Sequence, residues 1–106
     1  MTDQSVRHVV VLKWKSHITE QQIEAITDRF RNLKDEIPGI IGFERGVNNS
    51  PEGANRGLTH VFLLTFEDAA ARDVYLPHPA HLQFVSYMSE NDAIDEAFIV
   101  DYVAQS

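Results

Sequence analysis

Apolar residues recur along this chain with two different periods, and the switches between them mark out the elements. Val6–Trp14 (VRHVVVLKW) is rich in β-branched side chains and ends in a polar stretch, which predicts a strand. Thr19-Glu20-Gln21-Gln22 follows as a capping-box pattern, in which Thr19 caps a helix and Gln22 reaches back. Behind it Ile23, Ile26, Phe30, Leu33 and Ile37 recur at spacings of three and four, an amphipathic helix that Pro38-Gly39 ends. Residues 40–47 read as a second strand weakened by Gly42 and Gly46, and residues 48–57 as a turn-rich loop. Residues 58–66 (LTHVFLLTF) form the clearest strand. A short helix over about 68–75 breaks at Leu76-Pro77-His78-Pro79, and Pro79 opens a further helix to about Met88. Residues 89–95 are expected as an acidic loop and 97–103 (AFIVDYV) as the closing strand.

The order is β-α-β-β-α-β with the second helix split by prolines, a ferredoxin-like α+β protomer with a four-stranded antiparallel sheet. Strands one and three are expected at its centre. A sheet with helices on one face and water on the other alternates between apolar and polar positions, and these strands do not. His60, Phe62, Leu64 and Phe66 share one face of the third strand, but Val61 and Leu63 occupy the other. Val10, Leu12 and Trp14 oppose Val9 and Val11 in the first strand, and Phe98, Val100 and Tyr102 oppose Ile99 and Val103 in the last. The helices cover one face only. Leaving several Val, Leu and Ile side chains in water on the other forgoes several kcal/mol at about 25 cal/mol per Å². A second copy of the sheet is the simplest cover, and this predicts a homodimer. A loop folded over the sheet is the alternative.

Length and composition narrow the function. A chain of 106 residues holds one domain, here 1–106, and 43% hydrophobic with 24% charged residues is ordinary for a globular protein. With no cysteine, disulfides, thiolate nucleophiles and zinc–thiolate sites are excluded. The net charge of -7, with Lys and Arg scattered, gives no basic footprint for nucleic acid. No apolar run is long enough to span a bilayer, and the N-terminus does not read as a signal peptide. The expectation is a cytoplasmic protein with no membrane and no nucleic-acid partner, acting on a neutral or small-molecule one.

The densest chemistry is Tyr75-Leu76-Pro77-His78-Pro79-Ala80-His81. With Pro79 as first helical residue, His78 is the cap and His81 lies in the first turn, where the positive helix end disfavours an imidazolium. A neutral His81 suits a general base, and Tyr75 can offer a phenolic donor to a developing oxyanion. Equally, the prolines can set a rigid corner in which His81 merely bonds to backbone. His78 and His81 at a spacing of three are too few for a metal site without further ligands, so no metal is expected. His8 and His60 start their strands on apolar faces, toward opposite ends of the sheet. Asp101 interrupts an apolar strand, and a carboxylate there needs a donor, naturally a histidine or a Tyr hydroxyl. His17 reads as solvated. Dinucleotide, P-loop and Ser-hydrolase motifs are missing.

His8-Val-Val-Val-Leu-Lys-Trp-Lys15, residues 55–67, Tyr75-Leu-Pro-His-Pro-Ala-His81 and Val100-Asp-Tyr102 together resemble the stress-responsive A/B barrel (Dabb) family over nearly the whole chain. The resemblance implies a dimeric α/β barrel of ferredoxin-like protomers. It also implies a pocket, for the family includes a plant cofactor-free polyketide cyclase whose Tyr and His match Tyr75 and His81. That enzyme's strand histidines match His8 and His60, and its strand aspartate matches Asp101. Catalytic His81 and Tyr75 would then work without cofactor on a small apolar carbonyl or aromatic ligand contacted by His8, His60, Asp101, Phe30, Phe62, Phe84 and His78. The walls differ: Thr27 and Phe30 stand at helix positions of the cyclase pocket, and Phe62 replaces a small Val, which narrows any alkyl tunnel. Cyclisation or isomerisation is the implied chemistry. A non-enzymatic stress-response protein and a cofactor-free monooxygenase of the antibiotic-biosynthesis type are the rivals.

Overall fold

A computed structural model describes residues 3–105. Strand β1 (Val6–Trp14) is followed by helix α1 (Glu20–Glu36), strands β2 (Ile40–Val47) and β3 (His60–Phe66), helices α2 (Ala69–Tyr75) and α3 (Pro79–Glu90), and strand β4 (Ile94–Tyr102). The strands form one antiparallel sheet in the order β2-β3-β1-β4, so β1 and β3 are central. This is the ferredoxin-like α+β fold.

Local chemistry sets each helix. Thr19 Oγ1 accepts from the Gln22 amide at 3.1 Å while Gln22 Oε1 accepts from the Thr19 amide at 2.9 Å, closing the capping box that starts α1. Asp68 caps α2 by accepting from the Ala71 amide at 2.8 Å. Gly39, at φ +95°, lets the chain turn into β2 directly beneath α2, because a Cβ there would meet Ala71 Cβ at 2.6 Å. That close approach seats α2 on the sheet.

Three element boundaries differ by two or more residues from the sequence expectation. Strand β3 begins at His60 rather than Leu58, because Leu58 is tied back into the loop: its amide donates to the Asn55 carbonyl, and its own carbonyl accepts from Asn55 Nδ2 at 2.7 Å. Helix α3 runs on to Glu90, capped by Asn91, whose Nδ2 donates to the Tyr87 carbonyl at 2.7 Å. Asp92 then turns the chain with φ +47°, so the acidic loop shrinks and β4 starts at Ile94, pairing with Trp14 across a register shift.

The core lies between the helices and one sheet face. Val6, Val10, Leu12, Phe62, Leu64 and Phe66 from β1 and β3 pack against Ile26, Phe30 and Leu33 of α1, with Tyr75 and Phe84 from α2 and α3. The other face carries half-buried Val9, Val11, Val61 and Leu63 beside Phe98, Val100 and Tyr102 of β4, which are 54%, 60% and 48% exposed. The helices therefore leave an apolar face uncovered at β4. No described helix is long and apolar enough to cross a membrane.

Candidate functional site

The helix-covered face encloses a cavity of about 90 Å³ lined by His8, Val10 and Leu12 of β1, Phe30 of α1, Tyr75 of α2, His81, Phe84, Val85 and Met88 of α3, and Ile99 of β4. Val85 and Ile99 are substantially exposed, so the cavity reaches the surface in the gap between α3 and the β4 edge. A larger concavity, about 380 Å³, lies on the open sheet face among Val9, Val61, Leu63 and Tyr102, but carries neither histidine nor buried phenol.

The prolines build the polar end of the small cavity. His78 caps α3 with its ring Nδ1 accepting from the Ala80 amide at 3.0 Å, and Pro79 is the first helical residue. His81 is thereby carried into the first turn, where its Nδ1 lies 3.0 Å from the Leu76 carbonyl. A carbonyl only accepts, so Nδ1 carries the proton and Nε2 keeps its lone pair. Of the two alternatives read from the sequence, the backbone bond inside the rigid corner is present, and it fixes the tautomer whose Nε2 is free to accept a proton. Burial holds the His81 pKa below its ordinary value, opposed by the Leu76 carbonyl and reinforced by His8 and His78. Burial thus leads this shift, where the sequence had pointed to the helix end.

Tyr75 is 1% exposed and its ring stacks on His81, centroids 4.1 Å apart, with His8 edge-on to it at 5.7 Å. Burial, helped by the Asp101 charge, pushes its phenol far above the usual range. It therefore stays a neutral donor.

His8 is buried, and its Nδ1 lies 2.7 Å from Asp101 Oδ1 on the neighbouring strand, directly across the ladder. This is the histidine partner that a carboxylate in an apolar strand requires. The other oxygen, Oδ2, accepts from Arg72 Nη1 at 3.1 Å, and Arg72 Nε reaches Asp73 at 2.9 Å. Arg72 was not singled out from the sequence. A signal was present, since it stands three residues before Tyr75 and shares its helix face.

The structure gathers His8, Tyr75, His81, Phe30 and Phe84 around the cavity with Asp101 behind His8, and sets the remaining predicted residues elsewhere. His60 pairs with Leu12, four residues along β1 from His8, roughly 13 Å away at strand spacing. There it packs edge-on against Trp14 and shares a hydrogen bond with Thr59 at 2.8 Å. Phe62 is 1% exposed and lies behind Phe30, ring centroids 5.1 Å apart. Thr27 is fully buried, with no partner for its hydroxyl among the described residues. His78 is committed to the α3 cap. His17 is exposed and bonds the Asn91 carbonyl at 3.2 Å. Among the described residues no three His, Asp or Glu side chains group as metal ligands.

Comparison with known proteins agrees with this fold. The family model described as Stress responsive A/B Barrel Domain matches residues 6–104. A stress-response A/B barrel domain-containing protein, HS1 of Arabidopsis thaliana, is 31% identical over 97 residues, covering 92% of this chain and 87% of its own. Olivetolic acid cyclase of Cannabis sativa is 35% identical over 80 residues, covering 76% of this chain and 79% of its own. Among solved structures, a dimeric ferredoxin-like protein of unknown function from Jannaschia sp. superposes with a TM-score of 0.79 at 26% identity, covering 94% of this chain and 99% of that one.

Proposed function

This chain belongs to the stress-responsive A/B barrel domain family, and we propose that it works as a homodimer whose cavity performs cofactor-free proton transfer on a small, partly apolar carbonyl compound. The observation that carries this reading is the pairing at the α2–α3 corner. His81, with Nδ1 held by Leu76, stacks on the neutral phenol of Tyr75, and both line one cavity.

In this mechanism His81 Nε2 takes a proton from the carbon next to the carbonyl. The C–H electron pair moves to form the enolate, whose oxygen accepts a hydrogen bond from the Tyr75 hydroxyl. The enolate then closes on a second carbonyl or is reprotonated at carbon, and His81 returns its proton. Cyclisation and isomerisation share this first step. That a relative at 35% identity is a cyclase supports the chemistry. The cavity's size argues for a small substrate: about 90 Å³ is less than the roughly 150 Å³ of an apolar cavity that holds benzene. Anything larger requires Val85 and Ile99 to part at the mouth.

The test is deuterium uptake at the α-carbon of a panel of small ketones and aldehydes in D₂O, followed by NMR. The unmodified protein should catalyse exchange with at least one compound. His81→Ala and Tyr75→Phe should each slow it by about 10²–10⁴-fold, the usual contribution of a placed acid or base. Undiminished exchange in both variants overturns the mechanism. No exchange with any compound, together with a melting temperature that no ligand shifts, favours a non-enzymatic role, in line with the stress response that the name of the Arabidopsis relative gives.

A further inference from the structure

Arg72 takes no part in the proton transfer above, but it stands where three elements of the site meet. Asp101 divides its carboxylate, Oδ1 to His8 Nδ1 at 2.7 Å and Oδ2 to Arg72 Nη1 at 3.1 Å. Asp101 belongs to the edge strand β4, His8 to the central strand β1, and Arg72 to α2, one turn before Tyr75. One guanidinium therefore links the helix that carries the phenol to the strand that holds the partner of His8.

The chemistry of histidine gives this link a consequence. A neutral imidazole has two tautomers, and the partner of one nitrogen decides which is present. For His8 that partner is Asp101, whose side chain is 22% exposed against 5% for His8. A carboxylate so placed can turn toward water unless its outer oxygen is also held. Arg72 holds it, and the guanidinium is itself oriented by the 2.9 Å bond from Nε to Asp73. A helix of seven residues such as α2 has little stability of its own, so a tertiary tether matters to its placement.

We propose that Arg72 is a positioning residue: by fixing Asp101 it keeps His8 in the Nδ1–H tautomer, leaving Nε2 as the polar atom His8 brings to the cavity wall. This deepens the acid–base reading of the cavity and rests on it for its functional meaning, whereas the tautomer can be measured without any substrate.

The experiment is ¹⁵N-edited NMR of the imidazole nitrogens in the full chain near neutral pH. In the unmodified protein His8 should carry its proton on Nδ1, with that proton far downfield. In Arg72→Met the downfield signal should be lost and the Nε2–H tautomer should gain, while Arg72→Lys, which retains the charge, should recover the signal. A purely structural role would lower the melting temperature and leave the tautomer ratio unmoved. The assignment is overturned by an Nε2-protonated His8 in the unmodified chain, by a folded Arg72→Met chain that keeps the signal, or by a Lys chain that behaves like the Met chain. Failure of α-proton exchange with these results intact would refute the catalytic reading alone.

Discussion

The imidazole of His81 and the phenol of Tyr75 face each other at stacking distance because two prolines bend the chain between them, and burial moves their pKa values apart. His81 is held below its ordinary 6.5, so the unfolded chain binds this proton more tightly than the folded one. Its contribution to stability is therefore complete above pH 6.5 and is lost as pH falls toward the depressed folded value. His60, also lowered by burial, adds in the same direction. Urea denaturation should show a lower midpoint on the acid side of this window, and His81→Gln should flatten part of that dependence. An unchanged slope in the variant would show that His81 is not the group titrating. Much of this chemistry was legible in the sequence, since Pro79 fixes the helix start and so the place of His81. Arg72 was legible only as a neighbour of Tyr75 on one helix face; its bond to Asp101 was not, because nothing along the chain brings α2 to β4. Nor was the separation of His60 from the cavity legible in full: strand direction set it apart from His8, but its packing against Trp14 needed the third dimension.

At the scale of elements, the approach of the α1–β2 turn to α2 is what seats Tyr75. Gly39→Ala would place a methyl 2.6 Å from Ala71 Cβ at φ +95°, adding overpacking to backbone strain. The expected loss is about 1–3 kcal/mol from overpacking alone, together with slower α-proton exchange because α2 shifts. Equilibrium unfolding and the exchange assay on the same sample check both, and an unchanged midpoint would mean that α2 is free to move. The seven elements follow periodicity and capping closely, from the Thr19 box to the Pro79 start. Their misplaced ends have local causes: Asn55 binds Leu58 into a loop, and the Asn91–Asp92 turn lets β4 start early. These are local turn bonds and a positive φ, whose geometry has no periodic trace.

At the scale of the whole molecule, the sheet has one face under helices and one apolar face that the chain leaves uncovered at β4. The proposed homodimer would join through that face, and Val100→Glu should convert it to monomer in light scattering at micromolar concentration. A mass unchanged by that substitution, or a monomeric unmodified protein, would count against this interface. The proposed function gives the two concavities different roles, the larger as interface and the smaller as reaction chamber. The most direct test of that division is NMR shift mapping of the intact protein titrated with a small ketone. The account predicts saturable shifts at His8, Tyr75, His81 and Val85. Shifts confined to Val9, Val61 and Leu63 on the open face would contradict it.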